Sequence, residues 1–235
     1  MLQSVDSTNA EAARISASLA GPEWILALEQ TAAKGRRGRT WANPPGNFAA
    51  TLVLPCDGEP VADMALRSFV SALALFEAVQ IVTRGSAHLT LKWPNDVLLN
   101  GAKLAGILLE TVGPARLAIG IGVNLQTAPL ATELESRAVP PVALSGETGV
   151  SISPEAFLDV LAKHYARLET QFRSLGFAPI RLAWLARAAK LGEPIIARTG
   201  STEIAGTFTD IDLAGNLVLN TQTGLKHIAA ADIYF

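Results

Sequence analysis

Up to about residue 190 the chain alternates apolar runs of strand length with apolar stripes at helical spacing. Residues 24–30 (WILALEQ) and 47–55 (NFAATLVLP) are short apolar runs that predict buried strands, the second stopped by Pro55. Between residues 64 and 82, Leu66, Phe69, Val70, Leu73, Phe76 and Val79 recur at the spacing of one helix face. LTLKW is a further strand, halted by Pro94. In VLLNGAKLAGILLE, Asn100-Gly101 between two apolar runs predicts a two-residue hairpin, with Leu99 opposite Ala102 and Leu98 opposite Lys103. RLAIGIGVNL adds a strand, and residues 126–150, with Pro129, Pro140, Pro141, Gly146 and Gly149, read as loop. Ser153-Pro154 opens a helix with proline at its first position, and Phe157, Leu161, Tyr165, Leu168, Phe172 and Leu175 form its core stripe. Near the start, DSTN precedes an alanine-rich helix, where Thr8 and Glu11 fit a capping box with Thr8 as N-cap.

Beyond residue 190 the runs shorten. EPIIAR, TEIAGTFTDID, NLVLNT and LKHIAA alternate with the turn clusters TGS, LAGN and QTG, a spacing that predicts a small β-barrel. The expectation is an α+β protein. A mixed β-sheet flanked by helices would occupy residues 1–187 and the β-rich domain residues 188–235.

Composition narrows the class. Hydrophobic residues make up 49% and charged residues 17%, which supports a packed core. A net charge of −2 excludes a general polyanion-binding surface. Cys56 is the single cysteine, so there is no internal disulfide and no CxxC site, and a buried thiol is expected. The N-terminus lacks a signal pattern, and no apolar run is read as long enough to span a membrane. These features predict a cytoplasmic protein.

Against that neutral background, AAKGRRGRTW concentrates charge. Lys34, Arg36, Arg37 and Arg39 put four cations into six residues, with Gly35 and Gly38 between them. Arginine offers a planar fork for phosphate or carboxylate, and glycine lets backbone close over a ligand. A nucleic-acid patch or a solvated turn fits the same run. In LKWPNDVLL, Lys92 sits in an otherwise apolar strand and needs an anionic partner, although Pro94, Asn95 and Asp96 also make an ordinary turn. Lys103 interrupts the apolar run AKLAGILLE three residues before Gly106, which reads as close approach of a ligand or as an edge lysine beside a bulge. GIGVNL lacks the third glycine of a dinucleotide loop and reads as a strand cleared for a ligand, with Asn124 aimed at it. Ser7, Thr8 and Asn9 serve either as helix caps or as polar contacts for a small ring. His88, His164 and His227 are scattered, and no serine lies in a nucleophile elbow, so covalent-nucleophile and zinc mechanisms drop out.

Taken in order, DSTN, EQTAAKGRRGRTW, KWPNDV, KLAGILLE and GIGVNL resemble the biotin protein ligase family, and the β-rich end is similar to that family's SH3-like domain. The resemblance implies ATP and Mg2+ as cofactors and biotin as substrate, activated as biotinyl-5'-AMP and passed to a lysine of a biotin carboxyl carrier protein domain. By the family pattern Lys103, Lys92 and Arg36 carry the chemistry. Ser7, Thr8, Asn9, Gln30, Lys34, Gly35, Arg36, Lys103 and Gly106 contact biotin. Arg36, Arg37, Arg39, Trp41, Lys92, Asn95 and Asn124 contact the nucleotide, and Asp96 reaches the metal. The family's usual loop is G-R-G-R-R-G-R, whereas Ala33 and Lys34 stand at its first two positions here. Lys34 keeps charge but loses the fork. The basic segment is expected to act as a mobile lid over one anion. The chain begins a few residues before DSTN, so no DNA-binding domain is expected; without a spanning run no membrane partner is expected either, and a homodimer remains open. The rivals are a lipoate or octanoate ligase or transferase of the same fold, a nucleic-acid-binding module, and a biotin binder without activity.

Overall fold

The computed structural model describes residues 1–113, 115–129 and 139–235; the part of the expected 126–150 loop at 130–138 lies outside the described residues. Seven strands form the first sheet: β1 (Leu2–Val5), β2 (Glu23–Gln30), β3 (Phe48–Pro55), β4 (Leu89–Lys92), β5 (Asp96–Leu99), β6 (Ala102–Val112) and β7 (Arg116–Val123). Their order is β1-β2-β3-β7-β6-β5-β4. β1 runs parallel to β2, and the other neighbours are antiparallel.

One face of the sheet packs on α3 (Arg67–Val82), α5 (Pro154–Leu175) and α6 (Phe177–Leu185), with α2 (Val61–Ala65) leading into α3. Phe48, Leu52 and Leu54 meet Leu73, Phe157 and Leu161 there. Each such side chain contributes about 1.5–3 kcal/mol on full burial. The other face packs on α1 (Thr8–Ile15) through Ala12, Ile25, Val53, Val112 and Ala118. Cover on both faces is why β3 reads as an unbroken apolar run, buried from Phe48 to Leu54. By length and composition Val61–Val82 is apolar enough to cross a membrane, which corrects the reading that no run is; its residues are mostly buried in the core. Arg67, 1% exposed, is held in that core by Glu59 at 2.6 Å and Glu169 at 2.9 Å, so its charge is matched where water is absent. Cys56 is buried as expected.

The Asn100-Gly101 hairpin forms in the predicted register, Leu99 with Ala102 and Leu98 with Lys103. Beyond it the pairing shifts, because Val97 lies opposite Ala105. Leu104 is thus an extra residue on β6, a β-bulge, and Leu104 and Ala105 both face the core. Side chains alternate along a strand, so without the bulge Lys103 would point into the apolar core with Ala105 and Ile107. The bulge moves it to the face that carries Asp96 and Gly106.

Two expectations change at the helices and one holds. Ser7, not Thr8, occupies the N-cap of α1, and no side-chain cap bond forms there because the Thr8 side chain is turned to Gln30. Within the expected 126–150 loop a short helix, α4 (Leu144–Thr148), forms around buried Leu144. Ser153 does cap α5, accepting from the Ala156 amide.

The remaining strands, β8 (Pro194–Thr199), β9 (Thr202–Ile211), β10 (Leu217–Thr221), β11 (Gly224–Ile228) and β12 (Asp232–Tyr234), make an antiparallel sheet ordered β11-β10-β9-β8-β12. Trp93 Nε1 donates to Gly215 O at 3.0 Å, and Arg181 pairs with Asp210, tying this sheet to the first. Strand β12, too short to show a pattern, returns the chain to the edge of the site.

Candidate active site

A single row of paired residues crosses the first sheet. Lys92 lies opposite Asp96, Asp96 opposite Gly106, Gly106 opposite Gly122, and Gly122 opposite Ala49. Charged groups stand at one end of this row and bare backbone in its middle. A cavity of about 470 Å³ lies over it, bounded by α1, the basic segment and β12. That volume suits a small molecule with a nucleotide-sized group.

At one end of the cavity the polar groups are tightly specified. Gln30 Oε1 accepts from the Thr8 amide at 2.8 Å and lies 3.1 Å from Thr8 Oγ1. Since a backbone N–H can only donate, this fixes the Gln30 oxygen and leaves its NH2 as a donor. Thr51 Oγ1 lies 2.8 Å from Thr8 Oγ1 and 2.6 Å from Asn9 Oδ1. Asn9 Nδ2 donates to Glu110 at 2.6 Å. Gly120 makes room for this network, because a Cβ there would lie 2.3 Å from Asn9 Oδ1. Ser7 lines the same end. Thr51 and Glu110 escaped the sequence reading. Thr51 sits inside an apolar run, and Glu110 ends one, so neither carries a local signal.

The middle is shaped by Trp41. A Cβ on Gly122 would lie 2.5–2.6 Å from the indole, and one on Gly106 would lie 3.2 Å from it. The glycines of GIGVNL therefore clear space first for Asn9 and Trp41, which corrects the reading that they clear it for a ligand directly. Lys103 Nζ stands 5.5 Å from the Trp41 ring centroid and 2.8 Å from Asp96 Oδ1. The geometry is that of an ion pair off the hydrogen-bond line, so Asp96 Oδ1 keeps acceptor capacity.

At the other end cations gather. Lys92 is half-buried beside Phe235, 5.4 Å from its ring centroid. Burial pushes its pKa below the usual lysine value, Lys103 and Arg36 add to the push, and Asp96 and Asp232 oppose it. Arg36 is lowered in the same way, first by burial. Its Nη1 reaches Asn95 Oδ1 at 3.3 Å, while Asn95 Nδ2 is anchored on Ile107 O at 2.6 Å. Asn124 ties the end of β7 to Val142 O at 3.1 Å, and its Oδ1 is buried with no protein partner.

The basic segment is a small hairpin. Lys34 bridges Thr40, the Gly35 amide donates to Arg39 O at 2.7 Å, and the Trp41 amide donates to Ala33 O at 3.0 Å. Ala33 is buried at its base. Its tip turns through Arg37, at φ 56°, and Gly38, at φ 73°. Lys34, Gly35, Arg36 and Arg39 line the cavity, whereas Arg37 turns outward to Asp232. Asp232, on β12, binds Arg37 at 2.5 Å and Arg39 at 3.0 Å, with Arg198 at 3.6 Å. Burial raises the Asp232 pKa, but Arg39, with Arg37 and Arg36, outweighs it and holds the carboxyl below its usual value. His164 and His227 are satisfied by Glu77 and Asp212, at 2.7 and 2.8 Å.

Among the described residues no group of three or more His, Cys, Asp or Glu could hold a metal ion. Asp96 is the cavity carboxylate with spare acceptor capacity, which suits an ion that arrives on phosphate oxygens and takes one protein carboxylate.

A mixed sheet carrying this pocket, with a small antiparallel sheet closing its edge, is the arrangement of a class of protein ligases. The sequence profile of the biotin/lipoate A/B protein ligase family matches residues 1–125, that of the biotin protein ligase C terminal domain matches residues 190–235, and the chain belongs to this family. It is 54% identical to the biotin–[acetyl-CoA-carboxylase] ligase of Paracoccus denitrificans, over 100% of this chain and 99% of that one. It is 32% identical to the bifunctional ligase/repressor BirA of Bacillus spizizenii, over 89% of this chain and 65% of that one. The biotin protein ligase from Aquifex aeolicus, solved in complex with biotin and ATP, shares the fold with a TM-score of 0.86 at 24% identity, covering 99% of this chain and 96% of that one.

Proposed function

We propose that this chain is an ATP-dependent biotin ligase that activates biotin as biotinyl-5'-AMP and transfers it to a lysine of a biotin carboxyl carrier protein domain. The observation that carries this reading is one cavity with a fixed set of amide and hydroxyl groups at one end and Lys92, Lys103, Arg36 and Arg39 toward the other. A cyclic urea needs the first, and an acyl phosphate needs the second.

Step one brings a carboxylate to a phosphate that is itself anionic. Two like unit charges 4 Å apart cost about 4 kcal/mol at an effective dielectric near 20. Lys103, on the face to which the bulge turns it, offsets this charge at the carboxylate and α-phosphate, moving from Asp96 to the ligand. Lys92 and Arg36, both half-buried so that burial disfavours their charge, stabilise charge building on the phosphoryl oxygens. The carboxylate oxygen bonds to phosphorus and pyrophosphate leaves. Step two is attack of the carrier lysine on the mixed anhydride, giving an amide and AMP. Ser7, Thr8, Asn9 and Gln30 hold the ureido ring. Trp41 flanks the adenylate, Lys34, Gly35, Arg37 and Arg39 complete the lid, and Asn95 and Asn124 meet the nucleotide. Mg2+ bound with ATP, reached by Asp96, would neutralise phosphate charge. Residues 1–187 form the catalytic domain and 188–235 the closing one in this reading.

Purified protein with ATP, magnesium and biotin should release pyrophosphate above a no-biotin control. Pyrophosphate release that responds to lipoate and not to biotin would place the chain on the lipoate side of its family.

A further inference from the structure

The Asn9 amide is oriented by two residues that do not line the cavity. Its Nδ2 lies 2.6 Å from Glu110 Oε2, and its Oδ1 lies 2.6 Å from Thr51 Oγ1. A carboxylate can only accept, so the amide end that faces Glu110 must be the NH2. Thr51, fully buried, can give its single hydroxyl proton to Asn9 Oδ1, and a carbonyl oxygen has a second lone pair. Asn9 is 7% exposed and lines the cavity, so that second lone pair can accept from a bound molecule. Gln30, with its oxygen taken by the Thr8 amide, supplies a donor. The cavity end therefore carries a fixed acceptor and a fixed donor, complementary to the N–H and C=O of a cyclic urea.

From this we infer that Glu110 and Thr51 are positioning residues that set ring specificity by locking Asn9 with its carbonyl toward the substrate N–H. Without Glu110 the amide can turn over and set its own N–H against the ring N–H. The penalty then falls on ring recognition and not on the nucleotide. A site built to pair an N–H also rejects acids whose ring lacks one, because its own groups are left unpaired. The inference rests on the biotin reading above and deepens it.

The test is calorimetric binding of biotin, without ATP, to wild type, Glu110→Ala and Glu110→Gln, followed by KM for biotin and for ATP. Glu110→Ala should weaken biotin binding about tenfold, the size expected for one charge-assisted hydrogen bond. Its KM for ATP, its kcat and its melting temperature should stay near wild type. Glutamine keeps an acceptor oxygen, so Glu110→Gln should recover most of the loss. If wild type binds no biotin, the functional reading fails and takes the inference with it. Equal binding by wild type and Glu110→Ala overturns the inference alone. So does a loss that affects biotin and ATP alike, or one that glutamine does not rescue.

Discussion

Asp232 Oδ2 lies 3.0 Å from Arg39 Nη2, so the last strand of the small sheet holds the basic hairpin of the large one. Asp232→Ala should release Arg37 and Arg39 together. The expected loss of stability is about 1 kcal/mol, as for an ion cluster only partly shielded from water. Faster proteolysis within residues 34–41 and faster escape of biotinyl-AMP in the absence of carrier should accompany it. Unchanged proteolysis would show that the hairpin keeps its own shape.

The same contact has a defined pH dependence. The folded Asp232 carboxyl titrates below its ordinary 3.8, so its stabilising contribution is complete above that value and is lost as pH falls through the lower, folded pKa. Melting curves of wild type and Asp232→Asn should differ at pH 6 and converge in strong acid.

Lys103→Ala removes the cation that the β6 bulge turns toward the cavity. Pyrophosphate release should drop at least a hundredfold, in line with loss of a group that stabilises developing charge. Melting temperature should hold within a few degrees, because Asp96 is left at a cavity that water can enter. Unfolding of the variant would instead give Lys103 a structural role.

Lys92 is protonated in a place that disfavours its charge, so it subtracts from stability at neutral pH, and the cost fades as pH rises through its lowered pKa. Lys92→Met should melt at the same temperature as wild type or higher, yet lose adenylation. The gap in melting temperature should narrow as pH rises toward about 10 and be closed above it, where a free lysine also deprotonates. A strongly destabilised Lys92→Met, inactive only because it unfolds, would contradict this.

Gly122→Ala places a methyl group 2.5–2.6 Å from the Trp41 indole. Overpacking of this kind costs about 1–3 kcal/mol. In a Trp41→Ala background the cost should largely vanish, a non-additivity that a thermal double-mutant cycle reads directly. Additive losses would mean that Gly122 serves the ligand and not the indole.

What the sequence showed and what it hid divide along physical lines. The Asn100-Gly101 hairpin and the Ser153 cap were legible because a few adjacent residues determine them. The long stripes of α3 and α5 were legible because burial on one face repeats many times. Strand β12 has three residues and no repeat, so its return to the basic hairpin could not be read. The bulge at Leu104 was equally silent, since LAGIL reads as strand with or without it. Thr51 and Glu110 meet Asn9 across 42 and 101 residues of sequence, and nothing local marks them. The motifs located the cavity, while the groups that orient its side chains emerged from the fold.

The link from Trp93 to Gly215 gives heat a particular way to harm this molecule. A mixed anhydride acylates any amine it meets, and only enclosure restricts it to a chosen lysine. If the small sheet frays before the large one unfolds, the hairpin loses Asp232 while Lys92 and Lys103 stay in place. Such a molecule would go on making the activated acid and spill it. Mild heating would then convert a selective labelling enzyme into an indiscriminate one before it inactivated it.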